Sequence, residues 1–159
     1  MDLDATDRAI LTALQHDGRV SNVLLAERVH LSESACLRRV RVLEQNGVVE
    51  RYTAIVSADA VGVPGNVFAE ITLSSQKQDD LDRFETAVQA VPEIMECYLV
   101  TGEYDYLLRV VAQDTVDYER IHHQHLTTLP GVARVKTSFT LRTVQKKTEL
   151  PLRPVQGKA

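Results

Sequence analysis

Apolar positions in the first third of the chain recur with the period of a helix. Leu3, Ile10, Leu11 and Leu14 share one stripe, with Asp4 placed to cap the segment and Asp17-Gly18 to end it. From Ser21 the pattern starts again: Leu24, Leu25 and Val29 lie on one face, His30-Leu31 interrupts, and Ser32 is a second N-cap. Behind that cap Cys36, Val40 and Leu43 face inward, while Ser34, Arg38, Arg41 and Gln45 line a polar face until Gly47 supplies the stop. Two short helices joined by so tight a turn define a helix-turn-helix. The same pattern also suits an ordinary bundle with a solvated arginine face. The following run favours the former: Val48 to Val56, VVERYTAIV, is β-branched and aromatic and predicts a strand or hairpin pair, a wing.

Beyond a break at Gly62-Val63-Pro64-Gly65 the period changes. Val67, Ala69, Ile71 and Leu73 alternate as a strand, and Leu81, Phe84, Val88 and Val91 recur as a helix closed by Pro92. Ile94 to Thr101 and Tyr106 to Ala112 are two strands around GEYD. Asp114 caps a helix ending at Leu129-Pro130-Gly131, and a last strand runs from Val132 to about Val144. The order βαββαβ is the ferredoxin-like arrangement, so the chain reads as α+β: a winged helix-turn-helix at 1–61, a ferredoxin-like domain at 62–145 and a basic tail at 146–159. In the last strand Val135, Thr137, Phe139 and Leu141 alternate with Lys136, Ser138, Thr140 and Arg142, so one face of the sheet is left to meet something else.

Charge complicates a nucleic-acid reading, because the net value of the 159 residues is −4. The distribution resolves this. Arg38, Arg39, Arg41 and Arg51 cluster where the groove would be, residues 62–141 are acidic, and the tail is basic. A weakly basic head on an acidic body needs more than one copy to hold a duplex well. No apolar run reaches the roughly 18 residues of a membrane span, and the N-terminus lacks a leader pattern, which points to the cytoplasm and no membrane partner; a nucleoid association is expected only if the chain binds DNA. Cys36 and Cys97 read as buried thiols. His122, His123 and His125 lack a spaced carboxylate or thiolate partner beyond Glu119, so no metal site is assigned. No nucleophile elbow, phosphate loop or zinc-helix motif is present, and the chain is not read as an enzyme.

Two constellations carry chemistry. Ser21 and Asn22 at one helix start, and Ser32, Glu33, Ser34 and Ala35 at the next, sit where a recognition helix meets DNA, with Arg38, Arg39, Arg41 and Arg51 available for phosphates or guanines. The second is the turn Gly102 to Tyr106. Gly102 admits close backbone approach, Asp105 offers a carboxylate to an ammonium, and neighbouring N–H groups suit a carboxylate; a plain hairpin turn would use the same residues.

The run DGRVSN…LAERVHLSESACLRRVRVLEQNGVVERYTA resembles the DNA-binding half of the Lrp/AsnC family of transcription regulators, and later segments extend the likeness over nearly the whole chain. The resemblance implies an amino-acid effector, leucine, methionine or another, and no other cofactor. It implies homodimers assembling into tetramers or octamers on double-stranded DNA. The family's effector turn falls on Gly102, Glu103, Tyr104, Asp105 and Tyr106, with Leu99 beside it and Thr137, Ser138, Phe139 and Thr140 of the last strand opposite. The alternatives are an architectural DNA-binding protein without an effector, or a small enzyme with a fused regulatory head.

Overall fold

The computed structural model describes residues 1–152 and divides into two compact units. The first comprises residues 1–55 together with residues 145–152 of the described chain; the second is residues 56–144. Residues 153–159 of the basic tail lie outside the described part.

The first unit is built on three helices. Helix α1, Ala5–His16, starts at Asp4, whose side chain accepts from the Asp7 N–H while Asp7 accepts from the Asp4 N–H in return, a reciprocal cap that satisfies two otherwise orphaned donors. Helices α2, Asn22–Arg28, and α3, Glu33–Gln45, are capped by Ser21 and Ser32. Ile10, Leu11, Leu25, Ala26, Cys36 and Leu43 close the core. Leu24, expected on the inner face of α2, is instead half exposed.

The ends of α2 and α3 are alike. The His30 N–H donates to Glu27 and the Leu31 N–H to Ala26; after α3 the Gly47 N–H donates to Glu44 and the Val48 N–H to Leu43. Both are Schellman closures, which need a left-handed residue after the cap. Gly47 supplies it at φ +68° without steric cost, whereas His30 adopts φ +55° against the preference of a side-chain-bearing residue. The expected strand at Val48 to Val56 is absent: Val48 and Val49 form a bend, the residues after them carry no regular structure, and none of them pairs with a strand among the described residues.

The second unit is a four-stranded antiparallel sheet with helices α4, Gln78–Val88, and α5, Thr115–Gln124, packed on one face. Strand order is β2-β3-β1-β4, with β1 Gly65–Leu73, β2 Ile94–Leu99, β3 Tyr106–Ala112 and β4 Val132–Phe139. The last strand therefore ends earlier than the expected Val144. Val67, Ala69, Ile71 and Leu73 on β1 and Tyr106, Leu108, Val110 and Ala112 on β3 bury against Phe84, Val88, Tyr118 and Ile121. The opposite face carries Phe68, Leu107, Val111 and Tyr98, together with ion pairs from Arg109 to Glu96 and from Lys136 to Glu70, and no element among the described residues covers it.

Candidate DNA- and ligand-binding sites

The recognition helix takes its geometry from its cap. The Ser32 hydroxyl accepts from the Ala35 N–H at 3.3 Å, and the Asn22 amide donates to the Glu33 carbonyl at 2.9 Å, joining the first turns of α2 and α3. Ser21 accepts from the Leu24 N–H. These three residues, singled out for DNA contact, thus have structural work at the helix starts. Glu33, Ser34, Arg38, Arg41 and Arg51 are exposed, and Ala35 is half-buried.

Arg39 departs from the expectation. Its guanidinium donates to Asp4 at 2.8 Å and to the buried Asp7 at 2.7 Å, which binds α3 to α1 and removes Arg39 from the set of free cations. The physical reason is its position: one residue on from Arg38, the helix turns it about 100° toward α1. The Asp7 N–H and then Arg39 hold the Asp4 carboxyl below its ordinary range.

The Gly102 to Tyr106 turn joins β2 to β3. Gly102 adopts φ +135°, and a Cβ placed there would meet nothing within 4 Å, so the space beside it is open. Asp105 is also not as expected. It is buried, and both carboxylate oxygens are occupied: one accepts from the Leu73 N–H at 2.7 Å, the other from the Gln76 amide at 2.6 Å. Its own N–H donates to Ile71. Asp105 therefore shapes the turn from behind, with each carboxylate oxygen already engaged within the chain. Tyr106 likewise belongs to the core, with its ring 4.5 Å from Phe84 and its hydroxyl donating to Glu85. Burial, and then this carboxylate, push the phenol well above its usual range.

Glu103 is exposed and Tyr104 half-buried at the tip. Among the described residues, the N–H groups of Thr101 to Tyr104 enter no backbone hydrogen bond. Leu99 and Tyr106 frame a hollow of about 340 Å³ shared with Glu85, Val88, Gln89 and Cys97. Burial, ahead of the charge of Glu85, raises the Cys97 thiol to about 11, so it stays protonated at neutral pH.

The last-strand residues do not form one surface. Thr137 and Phe139 pair with Ala69 and Val67 and point to the helix side, where Thr137 shares a 2.6 Å hydrogen bond with Tyr118 and Phe139 packs edge-on to the same ring. Ser138 pairs with Phe68 on the open face, and Thr140 falls on that face by alternation. Nor does one chain bring this strand to the turn. The turn is bound to β1 at Ile71 and Leu73, whereas Ser138 to Thr140 lie beside Phe68 to Asn66, roughly 15 Å away along the strand at about 3.3 Å per residue. The partners that sequence reasoning missed, Gln76 for Asp105 and Tyr118 for Thr137, are far apart in the chain and carry no local signal.

The fold and these two sites define a helix-turn-helix regulator joined to a ligand-binding sheet domain. The family described as Lrp/AsnC ligand binding domain matches residues 66–150, and the winged helix-turn-helix DNA-binding family matches residues 3–50. The leucine-responsive regulatory protein of Escherichia coli K12 is 42% identical over 152 residues, covering 96% of this chain and 93% of that protein. A transcriptional regulator from Neisseria meningitidis solved with L-Met has TM-score 0.89 and 37% identity over 94% of this chain and 97% of its own. An AsnC family transcriptional regulator from Agrobacterium tumefaciens has TM-score 0.89 and 34% identity, over 93% and 96%. The chain belongs to the Lrp/AsnC family, and it is a DNA-binding transcription regulator rather than an enzyme. Among the described residues no helix is long and apolar enough to cross a membrane.

Proposed function

We propose that this regulator binds a free amino acid at the Gly102 to Tyr106 turn and that occupancy alters its hold on DNA. The observation that carries this reading is the set of N–H groups from Thr101 to Tyr104, left without backbone partners among the described residues, beside the open space at Gly102 and next to the anchored Asp105. Successive free N–H groups of this kind are donors that suit an α-carboxylate. The α-ammonium then falls to Glu103 or to the Ser138 and Thr140 hydroxyls of another copy, since Asp105 is already engaged. The separation of turn and strand end in one chain supports a site completed by a second copy.

Homodimers form by covering the open face around Phe68, Leu107 and Val111, and dimers associate further into tetramers or octamers. In such an assembly Ser34, Arg38, Arg41 and Arg51 of each copy meet the duplex, residues 1–61 read DNA and residues 62–145 sense the ligand, in the cytoplasm at the nucleoid. The L-Met held by the Neisseria regulator supports an amino acid as the ligand, with leucine and methionine as the first to be tried. Calorimetric titration with each of the twenty L-amino acids tests the ligand: the reading expects saturable heat from one or a few, and no heat from any contradicts it.

A further inference from the structure

Residues 148–152, Thr-Glu-Leu-Pro-Leu, belong to the first unit although the whole second unit separates them from it in sequence. The Gln15 side chain, near the end of α1, grips the backbone of Leu150 twice. Its Nε2 donates to the Leu150 carbonyl at 3.2 Å, and the Leu150 N–H donates to its Oε1 at 2.6 Å. This copies one rung of a β-ladder and recognises an extended backbone rather than a side chain. Glu149 reaches His16 at 3.5 Å. Leu152 packs on the three-helix core, over a cleft of about 430 Å³ to which Leu11, Leu14, Val49 and Tyr52 contribute. Pro151 fixes its own φ and disfavours helix at Leu150, so the segment arrives already extended and loses little freedom on docking.

The chain consequently crosses between the two units twice, once after Ile55 and once after Val144. The second crossing follows directly from β4, the strand that carries Ser138. We propose that the groove on α1 is the docking site of residues 148–152, and that this seat is a second tether restricting where each reading head can stand. If a pair of heads reads two DNA half-sites about one helical turn apart or a multiple of it, two heads tethered twice stay nearer that spacing, which raises the effective concentration of the second head once the first has bound. The inference rests on the reading of paired binding to DNA.

Gln15→Ala and Leu152→Asp in the full chain test it. Each variant is measured against the wild type on a duplex carrying the whole footprinted site from DNA upstream of its own gene, and on a duplex carrying half of that site. Hydrogen exchange reports the release of residues 148–152. The expected result is faster exchange there, a loss of about tenfold on the whole site, and at most about a twofold change on the half-site. Unaltered exchange overturns the docking. Equal losses on both duplexes overturn the tether, because the seat then only stabilises the head, and so does an unchanged whole-site affinity. A wild type that footprints nowhere removes the DNA reading itself and the tether with it.

Discussion

The guanidinium of Arg39 lies 2.7 Å from Asp7 and 2.8 Å from Asp4, so an arginine of the reading helix secures that helix to the cap of the first. Its neighbours Arg38 and Arg41 are exposed and have no such partners among the described residues. Substitutions along one helix therefore separate into two kinds. Arg39→Met leaves Asp7 buried without its cation and is expected to lower the stability of the DNA-binding unit by about 2 kcal/mol, below the 3–5 kcal/mol of a fully buried pair because Asp4 is half exposed. Asp7→Asn combined with Arg39→Met recovers part of the loss in thermal unfolding. Arg38→Ala and Arg41→Ala leave unfolding unchanged and each weaken DNA binding by about 1–3 kcal/mol, with a shallower salt dependence.

Acid weakens the same corner. The folded chain keeps Asp4 ionised to lower pH than the unfolded chain, chiefly through the Asp7 N–H and then through Arg39. A carboxyl lowered in the folded state stabilises at neutral pH, and that contribution disappears as pH falls below the ordinary carboxylate value near 3.8. Melting curves of the wild type between pH 6 and 3 are expected to fall more steeply than those of Asp4→Asn, whose side chain cannot titrate.

His30 marks a place where the chain accepts backbone strain. At φ +55° it closes α2 in the manner of Gly47 after α3, though only the latter has the residue suited to it. Replacing it with glycine is expected to stabilise the unit by about 1 kcal/mol and to raise its melting temperature by several degrees. A lower melting temperature would show that the imidazole contributes more than its backbone costs.

Asp105 acts behind the ligand turn. Asp105→Asn retains one acceptor for the Leu73 N–H but turns its amide toward the donor Gln76, and Asp105→Ala leaves a buried N–H unsatisfied at a cost of about 1–3 kcal/mol. Both variants are expected to weaken amino-acid binding by distorting the turn. Calorimetry checks this, with the melting temperature of the second unit falling in parallel. Loss of binding at full stability would instead place the carboxylate on the ligand.

Local signals in the sequence were sufficient for the helix starts and for most of the elements, less so for where the elements end. Asp4, Ser21, Ser32 and Asp114 cap the helices expected of them, because a cap depends on residues two or three places away. Alternation at Val67 to Leu73 revealed a half-buried strand for the same reason. Side-chain partners were not legible. Arg39 and Arg38 are equivalent in composition, and only the packing of α3 on α1 separates them. Asp105 looked like a ligand because Gln76 and Leu73, about thirty residues away, could not be seen beside it. The strand expected at Val48 to Val56 failed differently: β propensity describes a surface able to pair, and pairing needs a partner edge.

The central claim, that an amino acid bound at the turn alters the hold on DNA, is tested most directly by a mobility-shift titration. The protein is titrated on DNA upstream of its own gene at two salt concentrations, with and without each amino acid. The account predicts specific binding that one or a few amino acids shift severalfold, in the same direction at both salts. Specific binding that none of the twenty alters would contradict it and leave an architectural DNA-binding protein in its place.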